Sequence, residues 1–368
     1  MRPWWIKGLL LLVLVFTGAG IFAWHYWQDY QHFLAAPMNV PDEGIMILVE
    51  PGMTGQTVIR QLDQEGISRS DWRWRLLMKL NPVVVKVGEY SLTPGITPVE
   101  LLRKLESGDV VQHRFTIVEG WTFRQLLLAL NQEPLLESEW PFWSLSPELP
   151  AGKNALDGGA NQVEYRKPPG PDWSDALQSW LRSQDPPIEH PEGWFMPETY
   201  VYTRGDSATD ILSRAYRAAQ QAVAAAWTSR DENLPLDSPY ELLILASIIE
   251  KETALESERE EISGVFIRRL QQGMRLQTDP TIIYGMGDTF DGDIRRKDLK
   301  TDTPYNTYTR FGLPPTPIAL PGKASLEAAA HPASGTALFF VADGKGGHTF
   351  SDTLEQHQKA VNQLIRQR

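Results

Sequence analysis

The chain contains no cysteine. Disulfides, thiolate nucleophiles, cysteine-ligated zinc and lipoprotein acylation are all excluded with it. Its seven histidines include no His-Glu-x-x-His and no other ligand spacing, so no metal is expected. Basic residues are the minority, 35 Lys and Arg against 46 Asp and Glu, for a formal net charge of -11. Nucleic acid and anionic membrane surfaces want a basic face, so neither is an expected partner. Ser247 lies in Leu-Ala-Ser-Ile-Ile and not in a Gly-x-Ser-x-Gly elbow, which leaves a hydrolase triad unsupported. Gly344 to Gly347 is neither a Walker loop nor a strand-led dinucleotide fingerprint, so no nucleotide cofactor is expected.

What is present begins with one apolar run. Gly8 to Trp27 carries no Lys, Arg, Asp or Glu. About twenty such residues span the hydrocarbon of a bilayer as a helix. Arg2 and Lys7 precede the run, and no further Lys or Arg occurs before Arg60. The positive-inside rule then puts residues 1–7 in the cytoplasm and the remainder outside the inner membrane. Trp4, Trp5, Trp24, Tyr26 and Trp27 fit interfacial belts. A cleaved signal peptide is the competing reading, with Thr17-Gly-Ala-Gly20 as small residues. The bulky Phe22, Trp24 and Tyr26 favour an uncleaved anchor over residues 8–27.

A repeat follows. Pro51-Gly-Met-Thr-Gly-Gln-Thr-Val-Ile-Arg-Gln-Leu62 matches Pro94-Gly-Ile-Thr-Pro-Val-Glu-Leu-Leu-Arg-Lys-Leu105, and both match Glu119-Gly-Trp-Thr-Phe-Arg-Gln-Leu-Leu-Leu-Ala-Leu130. Each reads as a strand, a glycine turn, a capping Thr and a short amphipathic helix. The strands are expected at Ile45 to Val49, Gly88 to Leu92 and Phe115 to Val118. Residues 44–110 have the size and pattern of a LysM-like subdomain, a module that binds N-acetylglucosamine polymers. A plain structural spacer fits the same pattern.

From Gln132 to Glu189 periodicity is lost among Pro, Gly, Ser and Trp, and the stretch reads as an insertion or long surface loop with one helix at Trp173 to Arg182. Helices resume at Ser207 to Arg230, Ser238 to Thr253 and Glu256 to Gln272. A strand at Ala337 to Val341, a glycine turn and a helix from Thr353 close the chain. Strands and helices mix without βαβ alternation, so an α+β catalytic domain is expected over 111–368.

The most informative helix is Ser238 to Thr253. Ser238, Pro239 and Glu241 form a capping start. Leu242 to Ile249 is apolar nearly all round, so the helix should be buried. Glu250 continues a buried face below Ala246 and Leu243. Glu252 sits below Leu245 and Ile248, so helical spacing does not choose between them. A carboxyl delivered by a buried helix suits a general acid. Two solvated glutamates paired with Lys251 or Arg259 would suit the same spacing. Gln277-Thr-Asp-Pro280 and Thr303-Pro-Tyr-Asn-Thr-Tyr308 read as loops whose side chains could hydrogen-bond a sugar.

Six motifs in order then carry a resemblance. They are Glu192-Gly-Trp-Phe-Met-Pro-Glu-Thr-Tyr200, Leu245-Ala-Ser-Ile-Ile-Glu-Lys-Glu-Thr253, Gly273-Met-Arg-Leu-Gln-Thr-Asp-Pro280, Thr303 to Tyr308, Gly312-Leu-Pro-Pro315, and Val341-Ala-Asp-Gly-Lys-Gly-Gly-His-Thr-Phe350. The sequence resembles the YceG-like (MltG) family of endolytic murein transglycosylases. Residues 132–189 depart from that family's pattern, as do Met196 and Thr316 singly. The resemblance implies that Glu250 is catalytic and cleaves the β-1,4 bond after N-acetylmuramic acid, leaving a 1,6-anhydro end. It needs no cofactor. One carboxyl suffices, because the sugar's C6 hydroxyl can attack where an ordinary glycosidase uses a second carboxylate. Gln277, Thr278, Asp279, Tyr305, Asn306 and Thr307 would hold the glycan, and Glu192 and Tyr200 would line the cleft. Expected partners are peptidoglycan glycan strands, the membrane and the synthases that make those strands. A two-carboxylate muramidase using Asp279 or Glu192, and a non-catalytic wall-binding scaffold, are the alternatives.

Overall fold

A computed structural model describes residues 4–137 and 173–367. Most of the loss of periodicity noted at 132–189 falls outside them. The chain divides into two compact units, residues 1–113 with 203–205, and 114–202 with 206–368.

In the first unit, helix α1 (Trp4–Ala35) runs well past the apolar stretch. Its span from Gly8 to Ala35 is long and apolar enough to cross a membrane, with a mean hydropathy of 2.0 over its best window. The end of α1 is not a free linker. Tyr30 and Phe33 are buried in the unit's core, and Phe33 meets Trp74 edge-on at 5.3 Å between centroids. Arg73 adds an ion pair to Asp29 at 3.3 Å.

Strand β1 (Ile45–Val49) leads into α2 (Gly55–Gln64) and α3 (Trp72–Leu80), and β2 (Gly88–Leu92) returns antiparallel to β1. Register pairs Ile45 with Leu92 and Val49 with Gly88, so Ile47, Val49, Tyr90 and Leu92 share the buried face. Helix α4 (Pro98–Ser107) completes the unit. The repeated threonines act as expected. Thr54 accepts from Thr57 N, and Thr97 closes a full capping box with Glu100.

The second unit starts with β3 (His113–Thr116), two residues earlier than its expected place, because pairing with a strand near 199 sets its register: Ile117 N donates to Glu198 O at 3.0 Å. Thr122 caps α5 (Phe123–Gln132), the third repeat helix, in a box with Gln125. Helix α6 (Asp175–Ser183), strand β4 (Thr199–Tyr202) and α7 (Ala208–Ser229) surround one core of Phe123, Leu126, Leu127, Leu181, Phe195 and Leu212.

A second core is built round α8 (Pro239–Glu252). Ser238 caps it, but Glu241 reaches back to Asp237 N, so the expected capping box is only half formed. Leu242 to Ile249 are all buried, and each large side chain contributes about 1.5–3 kcal/mol by leaving water. Helices α9 (Arg259–Gln271), α10 (Asp279–Met286), α11 (Arg296–Lys300) and α12 (Lys323–Ala330) follow, with α7, α9, α10 and α12 packed on α8. Asp279 and Pro280 thus open a helix where the sequence had suggested loop. Antiparallel β5 (Phe339–Ala342) and β6 (His348–Ser351) carry α13 (Leu354–Gln367).

Candidate active site

Helix α8 delivers three charged side chains at its end. One polar residue inside it, Ser247, is consumed structurally. Its Oγ donates to Ile244 O at 2.7 Å and accepts from Ile318 N at 3.0 Å. That bond fixes the segment before α12 against α8.

Glu250 therefore meets the N-terminus of α12. Its Oε2 accepts from Gly322 N at 3.0 Å and from Ser325 Oγ at 2.7 Å. Its Oε1 lies 3.9 Å from Arg259 Nη2, and the side chain is 6% exposed. Free N–H groups at a helix start favour a negative charge. Glu250 is thus held, not solvated at a frayed end. Lys251 Nζ donates to Gly120 O at 3.2 Å.

Glu252 points elsewhere, since residues two apart on a helix do not share a face. Its Oε1 accepts a short hydrogen bond from Thr278 Oγ1. Burial pushes this carboxyl up to about 7; the Thr278 bond opposes the shift, Asp279 adds to it, and His348 and Arg269 oppose it. Asp279 Oδ1 accepts from Tyr308 OH at 2.6 Å. His348 Nδ1 meets Glu258 Oε2 at 2.7 Å.

The loop carrying Gln277 and Thr278 is tightly bound. Thr278 N donates to Thr307 Oγ1 at 3.1 Å, and Gln277 N to Thr307 O at 3.2 Å. Arg269 Nη1 donates to Leu276 O at 2.6 Å. Gln277 is held at φ +51°, a left-handed conformation that non-glycine residues rarely adopt and that functional sites tend to retain.

The predicted residues thus fall into three groups. Gln277, Thr278, Asp279 and Thr307 gather round Glu252 and not round Glu250. Asn306, 1% exposed, is spent on the backbone: Nδ2 donates to Thr301 O at 2.7 Å and Oδ1 accepts from Tyr308 N at 2.9 Å. Tyr305 OH pairs with Thr316 Oγ1 at 2.9 Å. Glu192 and Tyr200 do not line an open cleft. Glu192 is 2% exposed, accepting from Phe123 N at 2.8 Å and from Tyr284 OH at 3.1 Å. Burial pushes it up to about 7, opposed chiefly by the Phe123 bond. Tyr200 is buried with its hydroxyl on Met196 O at 2.8 Å. Both belong to packing because their motif fills the space between α5, α7 and α10.

Sequence reasoning missed Gly322, Ser325 and Glu119 as neighbours of Glu250. Arg259 had appeared only as a counter-ion. Glu119 was visible in the third repeat, where it replaces a proline, a substitution that could have marked it. Among the described residues no cluster of His, Asp and Glu is arranged to hold a metal ion.

Comparison with known proteins agrees with the motifs. The YceG-like family profile matches residues 47–363. An endolytic murein transglycosylase of Bacillus subtilis is 31% identical over 76% of this chain and 73% of its own length. The enzyme of that name from Streptococcus pneumoniae is 25% identical over 98% of this chain, which spans 66% of it. A crystal structure of a yceG-like protein from Listeria monocytogenes aligns over 87% of this chain and 99% of its own, with 27% identity and a TM-score of 0.49.

Proposed function

The chain belongs to the YceG-like family, and from that membership we infer that it is an endolytic murein transglycosylase acting on peptidoglycan glycan strands. Glu250 is the catalytic acid and base in this reading. The observation that carries it is the buried carboxyl held by Gly322 N and Ser325 Oγ at the start of α12.

Protonated Glu250 gives its proton to the leaving O4 of N-acetylglucosamine as the bond from C1 of N-acetylmuramic acid breaks. The C6 hydroxyl of the same muramoyl residue attacks C1. Its proton passes to the Glu250 carboxylate, which restores the starting state. No water enters, so the product carries a 1,6-anhydro end. Intramolecular attack gains from proximity, and the helix N-terminus stabilises the carboxylate between the two proton transfers. Gln277, Thr278 and Asp279, gathered round Glu252, hold the glycan from that side of the α8 end.

A second reading has one observation in its favour. Glu252, with its carboxyl pushed up to about 7, sits among the loop residues expected to hold sugar. It would then be the acid.

The β–α–α–β order of the first unit supports a LysM-like role in binding N-acetylglucosamine polymers. Helix α1 anchors the chain in the inner membrane with its N-terminus cytoplasmic. A cutter held there meets nascent strands first, ends their elongation, and works beside the synthases.

The test is digestion of uncrosslinked glycan strands, with products read by mass spectrometry. Anhydro products from wild type and from Glu252→Gln, but none from Glu250→Gln, are expected. Loss with Glu252→Gln alone would transfer the role to Glu252. Hydrated products would point to a two-carboxylate muramidase, and strands bound but uncut by wild type to a scaffold.

A further inference from the structure

Glu119 has no part in the reaction as described, yet the fold brings it to Glu250. Its loop is tied down from two sides. Gly120 N donates to Leu320 O at 2.9 Å, and Leu320 N to Trp121 O at 2.7 Å. The carboxylate consequently rests against Cα of Gly322, the residue whose N–H holds Glu250, with no room for a Cβ between them.

Both carboxylates also address one cation. Arg259 Nη2 is 3.9 Å from Glu119 Oε2 and 3.9 Å from Glu250 Oε1. The Arg259 side chain is 11% exposed, and its Nε is buried without a hydrogen-bond partner. At those distances the guanidinium acts by charge and not through hydrogen bonds.

We propose that Glu119 is a positioning residue for Glu250, its negative charge offsetting that of Arg259 so that Glu250 can take up the proton it must deliver. The inference rests on the assignment of the reaction to Glu250. Gly322 N, Ser325 Oγ, the start of α12 and Arg259 all favour a carboxylate at Glu250. An acid also needs its protonated form, and Glu119 is a charge facing it that favours the proton. Interaction between two titrating groups is reciprocal. Partial burial raises Glu119, and the charge of Glu250 raises it further against the pull of Arg259. The charged groups acting on Glu119 are Glu250 of α8, Glu256 of the next turn and Arg259 of α9, while Lys251 of α8 lies against the neighbouring Gly120. Lys323 of α12 is engaged by Glu198 at 2.8 Å.

Glu119 is half exposed, so solvent screens its effect. The expected effect is about a three-fold change in rate on the limb.

The experiment uses the full chain in detergent and follows kcat/KM on glycan strands against pH. In Glu119→Gln the alkaline limb moves to lower pH with KM unchanged. In Arg259→Gln it moves to higher pH, and Glu119→Asp restores the wild-type position. A purely structural role would not move the limb in opposite directions. A Glu119→Gln limb superimposed on wild type, or an effect on KM alone, overturns the proposal. If Glu119→Gln fails to fold by circular dichroism, an unmoved Arg259→Gln limb overturns it instead. Glu250→Gln with full activity would overturn the Glu250 assignment itself. An inactive Glu250→Gln beside an unmoved limb overturns only the role of Glu119.

Discussion

The backbone N–H of Gly322 donates to Oε2 of Glu250 at 3.0 Å, so the carboxyl at the end of α8 is held by the residue that caps α12. A side-chain donor can swing away; a backbone N–H bonded into a helix start cannot. The position of Glu250 is thereby coupled to the packing of α12 on α8, and through Ser247 and Ile318 to the interior of the helix itself.

Gly322→Ala should disturb the site without unfolding the protein. Its φ of -74° suits alanine, so backbone strain is absent. The added Cβ overlaps the Glu119 carboxylate, the far end of an exposed side chain that can move aside. Melting temperature should change by only a few degrees. The alkaline limb of the pH profile should shift in the same direction as in Glu119→Gln. A large loss of melting temperature would show that α12 itself had moved.

Ser325→Ala should lower kcat about ten-fold. Its hydroxyl is one of two donors on Glu250 Oε2, and a hydrogen bond to a charged acceptor contributes about 1.5–3 kcal/mol. Ser325 is fully buried, so KM should stay near the wild-type value. Steady-state kinetics separates the two, and a change confined to KM would contradict a role behind Glu250.

Much of this fold was legible because it follows local rules. Thr54, Thr97 and Thr122 announced three helix starts, and each caps the helix it precedes. The apolar run from Leu242 to Ile249 announced a buried helix, and it is the hub of the second unit. The site was less legible. Asn306 and Tyr200 look like sugar-binding residues, yet their polar atoms are spent on nearby backbone groups. Nothing in local sequence distinguishes a hydroxyl aimed at substrate from one aimed at a carbonyl four residues away. Gly322 and Ser325 lie more than seventy positions from Glu250, and only tertiary packing joins them.

Stability should fall as pH rises from about 4.5 to about 7. Glu192 has a folded-state pKa of about 7, above its unfolded value of 4.5, because burial disfavours its charge. Between those values the native state binds the extra proton, so unfolding releases it and the native state loses advantage as protons become scarce. Glu192→Gln is neutral throughout and still offers a carbonyl to Phe123 N. The variant should flatten this part of the profile, gaining up to about 3 kcal/mol on wild type near pH 8. Denaturant titrations at pH 5 and pH 8 measure it, and a slope unchanged by the substitution would remove Glu192 as its source.

The end of α1 should stabilise the unit that follows it. Tyr30 and Phe33 are buried against residues of α3, with Phe33 edge-on to Trp74 and beneath Arg73 at 5.1 Å. Truncating a buried phenylalanine to alanine costs about 3–5 kcal/mol. A chain beginning at residue 28 retains these contacts, whereas one beginning at residue 40 loses them. The longer fragment should melt higher, and Phe33→Ala within it should reproduce most of the difference. Melting curves of the three proteins decide the matter. Equal melting temperatures would mean that α1 is merely a tether. A higher value for the longer fragment would mean that the end of α1 is part of the folded unit and is not joined to it by a linker.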